Sequence, residues 1–180
     1  MVCLACRLPG PPLCGSCRST VHPLGDLRTP GGLTVVAWAE HRGAARVLVR
    51  RLKYEGVVAV ASLVAEELAS RVPADARWLV PVPRTLTRRV RYGVDQATEI
   101  AAALSRRTGV PVVSALGAPV WARPHAGSAR ADRTPPRLTT RRRVEGAVLV
   151  DDVLTTGSTL DRAASLLGVV ESALTVTGVP

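Results

Sequence analysis

Phenylalanine is absent, lysine occurs once, and aromatic residues make up only 3% of the chain. So few rings leave no stacking platform of the kind that single-stranded nucleic-acid binders present. Long apolar runs are missing too: none approaches the roughly 18 residues of a membrane span. The opening Met1-Val2-Cys3-Leu4-Ala5-Cys6 lacks the charged and apolar regions of a secretory signal, so a soluble, cytoplasmic protein is expected. Negative charge is scarce, with 14 acidic against 24 basic side chains and a net charge of +10. That excess suggests an anionic partner such as nucleic acid, nucleotide or phosphate. Arginine supplies all of the basic side chains except Lys53, a bias that GC-rich coding favours without setting net charge. Apolar residues reach 47%, which excludes a disordered chain, and 180 residues suffice for one domain with a sizeable core and a small appendage.

One segment stands out, Val148-Leu149-Val150-Asp151-Asp152-Val153-Leu154-Thr155-Thr156-Gly157-Ser158-Thr159-Leu160. Residues 147–150 read as a buried parallel strand, and Ser158 or Thr159 opens a helix with Leu160, Ala163, Ala164 and Leu167 on one face. The loop between them joins a strand's carboxyl end to a helix's amino end. Unpaired N–H groups and the helix dipole favour an anion there. Gly157 would let the backbone approach a phosphate with no Cβ in the way, and Thr155, Thr156, Ser158 and Thr159 add hydroxyl donors. Asp151 and Asp152, acceptors only, suit the neighbouring hydroxyls of a ribose. A plain Asx turn with a Ser/Thr N-cap would use some of these residues. It would not need both carboxylates, the glycine and four hydroxyls together, so the segment reads as a site for a phosphorylated sugar.

All four cysteines fall in the first 17 residues, as Cys3-x2-Cys6 and Cys14-x2-Cys17. This is metal-ligand spacing, and four thiolates close a tetrahedral shell, so structural zinc is expected. Disulfides are the alternative, disfavoured in a reducing cytosol. A thioredoxin-like redox motif would need a strand before and a helix after the pair. His22 and His41 are surplus to a complete shell and read as ordinary surface groups.

Residues 1–27 therefore form a four-cysteine ribbon, Arg28-Thr29-Pro30-Gly31-Gly32 a linker, and residues 33–180 the main domain. Strands are expected at 33–39, 78–83, 110–114, 147–150 and 173–177, and helices at 42–53, 57–71 and 96–107 besides the one after Gly157. Their alternation implies an α/β fold, a doubly wound and mainly parallel sheet that binds ligands at the carboxyl ends of its strands. Residues 119–143, rich in Arg, Pro, Gly, Ser and Thr, resemble a mobile loop over a binding site.

The acidic pair followed by Thr-Thr-Gly-x-Thr resembles the phosphoribosyl pyrophosphate (PRPP) signature of type I phosphoribosyltransferases. Three further stretches, Leu52-Lys53-Tyr54-Glu55-Gly56, Leu79-Val80-Pro81-Val82-Pro83-Arg84 and Arg91-Tyr92-Gly93-Val94-Asp95-Gln96-Ala97, stand in the order seen in ComF-type competence proteins. Members of that family carry a zinc ribbon before a phosphoribosyltransferase domain. The resemblance implies that Asp151 and Asp152 hold the ribose hydroxyls and that residues 155–159 cradle the 5′-phosphate. Lys53 and Tyr54 fall at the pyrophosphate loop, and Mg2+ accompanies PRPP. A lysine at a helix end can also simply cap carbonyls. The family's Arg-Gly-Phe-Asn-Gln is here Tyr92-Gly93-Val94-Asp95-Gln96, His125 replaces a glutamine, and Pro136 stands where asparagine is usual. These departures fall in the regions that select the acceptor. The implied role is a PRPP-binding protein with phosphoribosyltransferase chemistry available to it, associated with DNA uptake in natural transformation. Two alternatives are a non-catalytic adaptor for single-stranded DNA or a helicase partner, and a nucleobase salvage phosphoribosyltransferase. Arg84, Arg88, Arg89, Arg91, Arg141, Arg142 and Arg143 fit an anion-facing or a merely solvated basic surface.

Overall fold

The structure, a computed structural model, describes residues 1–83, 95–118 and 138–179. Its centre is a five-stranded sheet in the order β1 (Leu27–Arg28), β2 (Thr34–Glu40), β7 (Val170–Gly178), β6 (Ala147–Leu154), β3 (Trp78–Pro81). Only β1 runs antiparallel to its neighbour. Side chains alternate along each strand, so the four parallel strands feed two cores. Val36, Val148, Val150 and Leu174 face α2 (Gly43–Tyr54), α3 (Ala59–Leu68) and α4 (Gln96–Thr108), the short α1 (Gly15–Arg18) lying among the cysteines. Val35, Leu149 and Ala173 face α5 (Ser158–Leu166). Covered on both faces, the sheet is the expected α/β, mainly parallel arrangement.

Helix ends follow the chain's local chemistry. Asp95 N-caps α4 by accepting from the Thr98 amide at 3.4 Å, and Gly109, at φ 77°, closes the helix by donating to the Ser105 carbonyl. Residues 57–71 divide into α3 and a 3-10 turn, Ala69–Arg71, that tightens ahead of Pro73.

Several expectations are corrected. Residues 110–114 form no strand; Val112 makes a single parallel bridge to Leu79. The next rung would need an N–H from Pro111, which has none. Arg28-Thr29-Pro30-Gly31-Gly32 is no linker, because Thr29 N–H donates to Leu33 at 3.0 Å and the segment is the turn of the β1–β2 hairpin. The signature strand continues past Val150 to Leu154, its ladder with β7 reaching Leu154 opposite Gly178. Residues 138–143, expected in a mobile loop, are anchored: β5 (Thr139–Thr140) pairs antiparallel with β4 (Leu116–Gly117), and Leu138 is buried. Residues 119–137, with His125 and Pro136, lie outside the described residues, as do Arg84, Arg88, Arg89, Arg91, Tyr92 and Val94. No described helix is long and apolar enough to cross a membrane.

Candidate functional site

The parallel strands β2, β7 and β6 end at one edge of the sheet, and that edge carries the acidic pair. Asp151 and Asp152 sit inside β6 rather than in the loop beyond it, so alternation sends them to opposite faces. Asp152 shares the face of Val148 and Val150 and is 6% exposed. Its carboxylate lies 3.6 Å from Lys53 Nζ, at the last turn of α2. The Asp151 carboxylate accepts from the amide of the next residue, Asp152, at 2.7 Å.

Beyond Leu154 the chain enters the glycine loop. Thr155, Thr156 and Ser158 are exposed, Thr159 is half-buried, and the Thr156 and Ser158 hydroxyls lie 3.1 Å apart. Gly157 occupies the N-cap of α5 at φ 78°, and no side chain caps that first turn. A Cβ there would come 2.7 Å from Thr29 Cγ2 and 3.3 Å from Pro30 Cδ, so the hairpin turn adds a need for glycine of its own. Asp161, in the first turn of α5, holds that turn by accepting from Thr29 Oγ1 and, at 2.9 Å, from the Gly31 amide. Thr29 and Asp161 shape the loop from its inner side. Only their 132-residue separation hid them.

Lys53 and Tyr54 close α2, with the Lys53 ammonium 5.9 Å from the Tyr54 ring and Tyr54 53% exposed. Gln96, the chain's single glutamine, is fully buried and donates to the Leu52 carbonyl at 3.4 Å. It ties the start of α4 to the residue before Lys53.

His41, read from sequence as a surface group, belongs to the same edge. Its backbone amide donates to the Gly178 carbonyl at 2.9 Å and its ring Nδ1 lies 2.7 Å from Thr177 Oγ1, bridging the ends of β2 and β7. Burial lowers its pKa below 6.5, the charges of Arg46 and Lys53 lower it further, and Asp152 only partly opposes them. The imidazole is therefore neutral at pH 7 in the folded protein. The unfolded chain takes up the proton first as pH falls, so stability held above pH 6.5 is lost between 6.5 and the lower folded value. A His41→Gln variant is expected to flatten that acidic slope in urea unfolding, and an NMR titration to put His41 below the ordinary histidine range.

At the amino end, the sulfurs of Cys3, Cys6, Cys14 and Cys17 all lie within 4.8 Å of one another. Cys6 and Cys14 are 3.8 Å apart, the edge expected of a tetrahedron with bonds of about 2.3 Å and nearly twice a disulfide's length. Burial raises the Cys3 thiol's pKa, but amides of Cys14, Cys6 and Ala5 outweigh it and hold the value at about 6. Burial and the neighbouring thiols push Cys17 up to about 12. Such a cluster ionises fully only around a cation, and the donor set fits structural zinc.

No curated protein matches the chain closely enough to count as a relative. Residues 55–176, however, match the family described as the phosphoribosyl transferase domain. The match begins just after Lys53 and Tyr54, leaves the cysteine cluster outside, and takes in the acidic strand with its loop. Spanning well over half of the sequence, from α3 into β7, it establishes that the chain belongs to the phosphoribosyl transferase domain family.

Proposed function

We propose that the protein binds PRPP with Mg2+ at the carboxyl edge of its sheet, as a phosphoribosyltransferase-like protein of the ComF type acting in cytoplasmic DNA uptake. In this reading residues 1–27 are the zinc ribbon and residues 33–180 the PRPP domain. The observation that carries it is the approach of Lys53 to Asp152, which sets a cation beside the acidic strand that leads into the glycine loop. Asp151 and Asp152 accept from the ribose hydroxyls, and the first turn of α5 with Thr155, Thr156, Ser158 and Thr159 receives the 5′-phosphate. Lys53, flanked by Tyr54, answers the charge of the diphosphate. Were transfer to an acceptor to occur, that same ammonium would stabilise the departing pyrophosphate. Mg2+ would add Lewis-acid neutralisation of the phosphate oxygens.

Thermal unfolding tests the reading. A ligand that binds only the folded state at a hundred times its Kd stabilises by about 2.7 kcal/mol. Saturating PRPP with Mg2+ should raise Tm by several degrees, more than ribose 5-phosphate does. No shift would sink the proposal.

A second reading, the single-stranded nucleic-acid adaptor, is favoured by an open depression of about 390 Å3 at the opposite end of the sheet. Arg77, Trp78, Arg142, Arg143 and Glu145 line it, and the Arg142 guanidinium lies 5.3 Å from the Trp78 ring. An oligonucleotide held there should show affinity falling steeply with salt and weakened by Arg142→Glu/Arg143→Glu. A flat salt dependence, or an unchanged variant, removes this reading.

A further inference from the structure

We infer that the cysteine ribbon sets the position of Lys53 and Tyr54, with Arg51 as the positioning residue. The ribbon and the turn that ends α2 are then one mechanical unit, and the metal governs affinity for the diphosphate end of the ligand but not for the phosphate end. The inference rests on the PRPP reading for its ligand, though not for the coupling itself.

Arg51 acts through both backbone and side chain. Its carbonyl accepts from the amides of Glu55 at 3.1 Å and Val57 at 3.2 Å, closing α2 around Gly56, which takes φ 66°. Its guanidinium, only 14% exposed, donates to the Leu4 carbonyl, between the first two cysteines, and lies 3.2 Å from the Glu55 carboxylate. Arg7, next to Cys6, reaches the same Glu55 oxygen at 2.7 Å. Arg7 is the only described non-glycine residue with positive φ, at 68°, and its amide donates to the Cys3 carbonyl at 2.9 Å. That strained turn is the one that would wrap the first pair of cysteines around an ion. Glu55, two residues after Lys53, is thus gripped by one arginine from the knuckle and by another that itself holds the knuckle.

The rest of the ribbon is fastened elsewhere. Leu13 is buried with Leu48 and Leu52, the Ala44 amide donates to Thr20 Oγ1 at 3.1 Å, and Arg18 pairs with Glu67 at 2.9 Å. From the other side Gln96 holds the Leu52 carbonyl. Losing the metal leaves those anchors in place but removes what shapes the Cys3–Cys6 turn, because a ribbon this small has little core of its own. The Leu4 carbonyl and Arg7 then leave Arg51 and Glu55, and the turn bearing Lys53 and Tyr54 frays. Residues 155–159 touch none of these groups among the described contacts.

Hydrogen exchange on the full chain tests this, with a zinc-selective chelator that leaves Mg2+ in solution and, separately, with the metal-loaded Glu55→Ala variant. Exchange at residues 52–57 should rise in both cases while residues 155–160 stay protected. Calorimetry should show affinity for Mg2+-pyrophosphate falling by about three- to tenfold in both, as expected for a small, partly exposed ion-pair network, and affinity for ribose 5-phosphate unchanged. Unaltered exchange at 52–57 after metal removal overturns the coupling, as does an equal loss at both ends of the ligand, which would mean general loosening. If pyrophosphate fails to bind the loaded protein, the PRPP reading fails, and the exchange at 52–57 still decides the coupling.

Discussion

Asp151→Asn/Asp152→Asn is expected to lower affinity for Mg2+-PRPP by at least about a hundredfold, read by calorimetric titration. A hydrogen bond to a charged group contributes about 1.5–3 kcal/mol, so losing two corresponds to roughly two to four decades in Kd. The sign is more telling than the size. Asparagine removes two negative charges from a site meant for an anion, so affinity should rise if the carboxylates merely stood nearby. It falls only if they hold the sugar. The fold should survive, because asparagine can still accept from the Asp152 backbone position and the β6–β7 ladder does not depend on these side chains. Lys53 loses its partner at 3.6 Å, so a modest loss of stability accompanies the change.

Gly157→Ala should have the next largest effect. Holding a non-glycine residue in the left-handed region costs about 1–2 kcal/mol. The new methyl also meets Thr29 at 2.7 Å, and overpacking of that kind costs about 1–3 kcal/mol. Thr29 cannot easily retreat: it is 6% exposed, its hydroxyl donates to Asp161, and the Leu33 amide donates back to it at 3.1 Å. Urea unfolding should show a destabilisation of about 2–5 kcal/mol, and ribose 5-phosphate binding should be lost with the loop's shape. Adding Thr29→Ser removes the nearest methyl and should recover part of the stability but not the left-handed cost. Full recovery would mean that backbone conformation at Gly157 is unimportant.

These two sites show where sequence is informative. Periodicity located α2, α4 and α5 to within a residue or two, because burial of Leu48, Leu52, Ile100, Leu104, Leu160 and Ala163 is what makes them helices. The acidic strand and glycine loop were legible as a contiguous motif, and the cysteines by spacing alone. What local reasoning missed is non-local. The polar tail of β6 looked like loop, yet its backbone pairs with β7, and ladder hydrogen bonds do not require apolar side chains. Arg28-Thr29-Pro30-Gly31-Gly32 has the composition of a linker and of a hairpin turn alike, and only the pairing of Leu27 with Val35 decides. His41, Thr29 and Asp161 carry no motif. Their parts come from partners more than a hundred residues away.

The central claim is that the ends of α2, β6 and the loop before α5 form one site for a ribose bearing a 5′-phosphate and a diphosphate. A crystal structure of the zinc-loaded protein with PRPP and Mg2+ tests it most directly. The account predicts the ribose hydroxyls on Asp151 and Asp152, the 5′-phosphate at residues 155–159, and the diphosphate beside Lys53 and Tyr54. PRPP seated instead among Arg77, Trp78 and Arg142, or absent at saturating concentration, would contradict it.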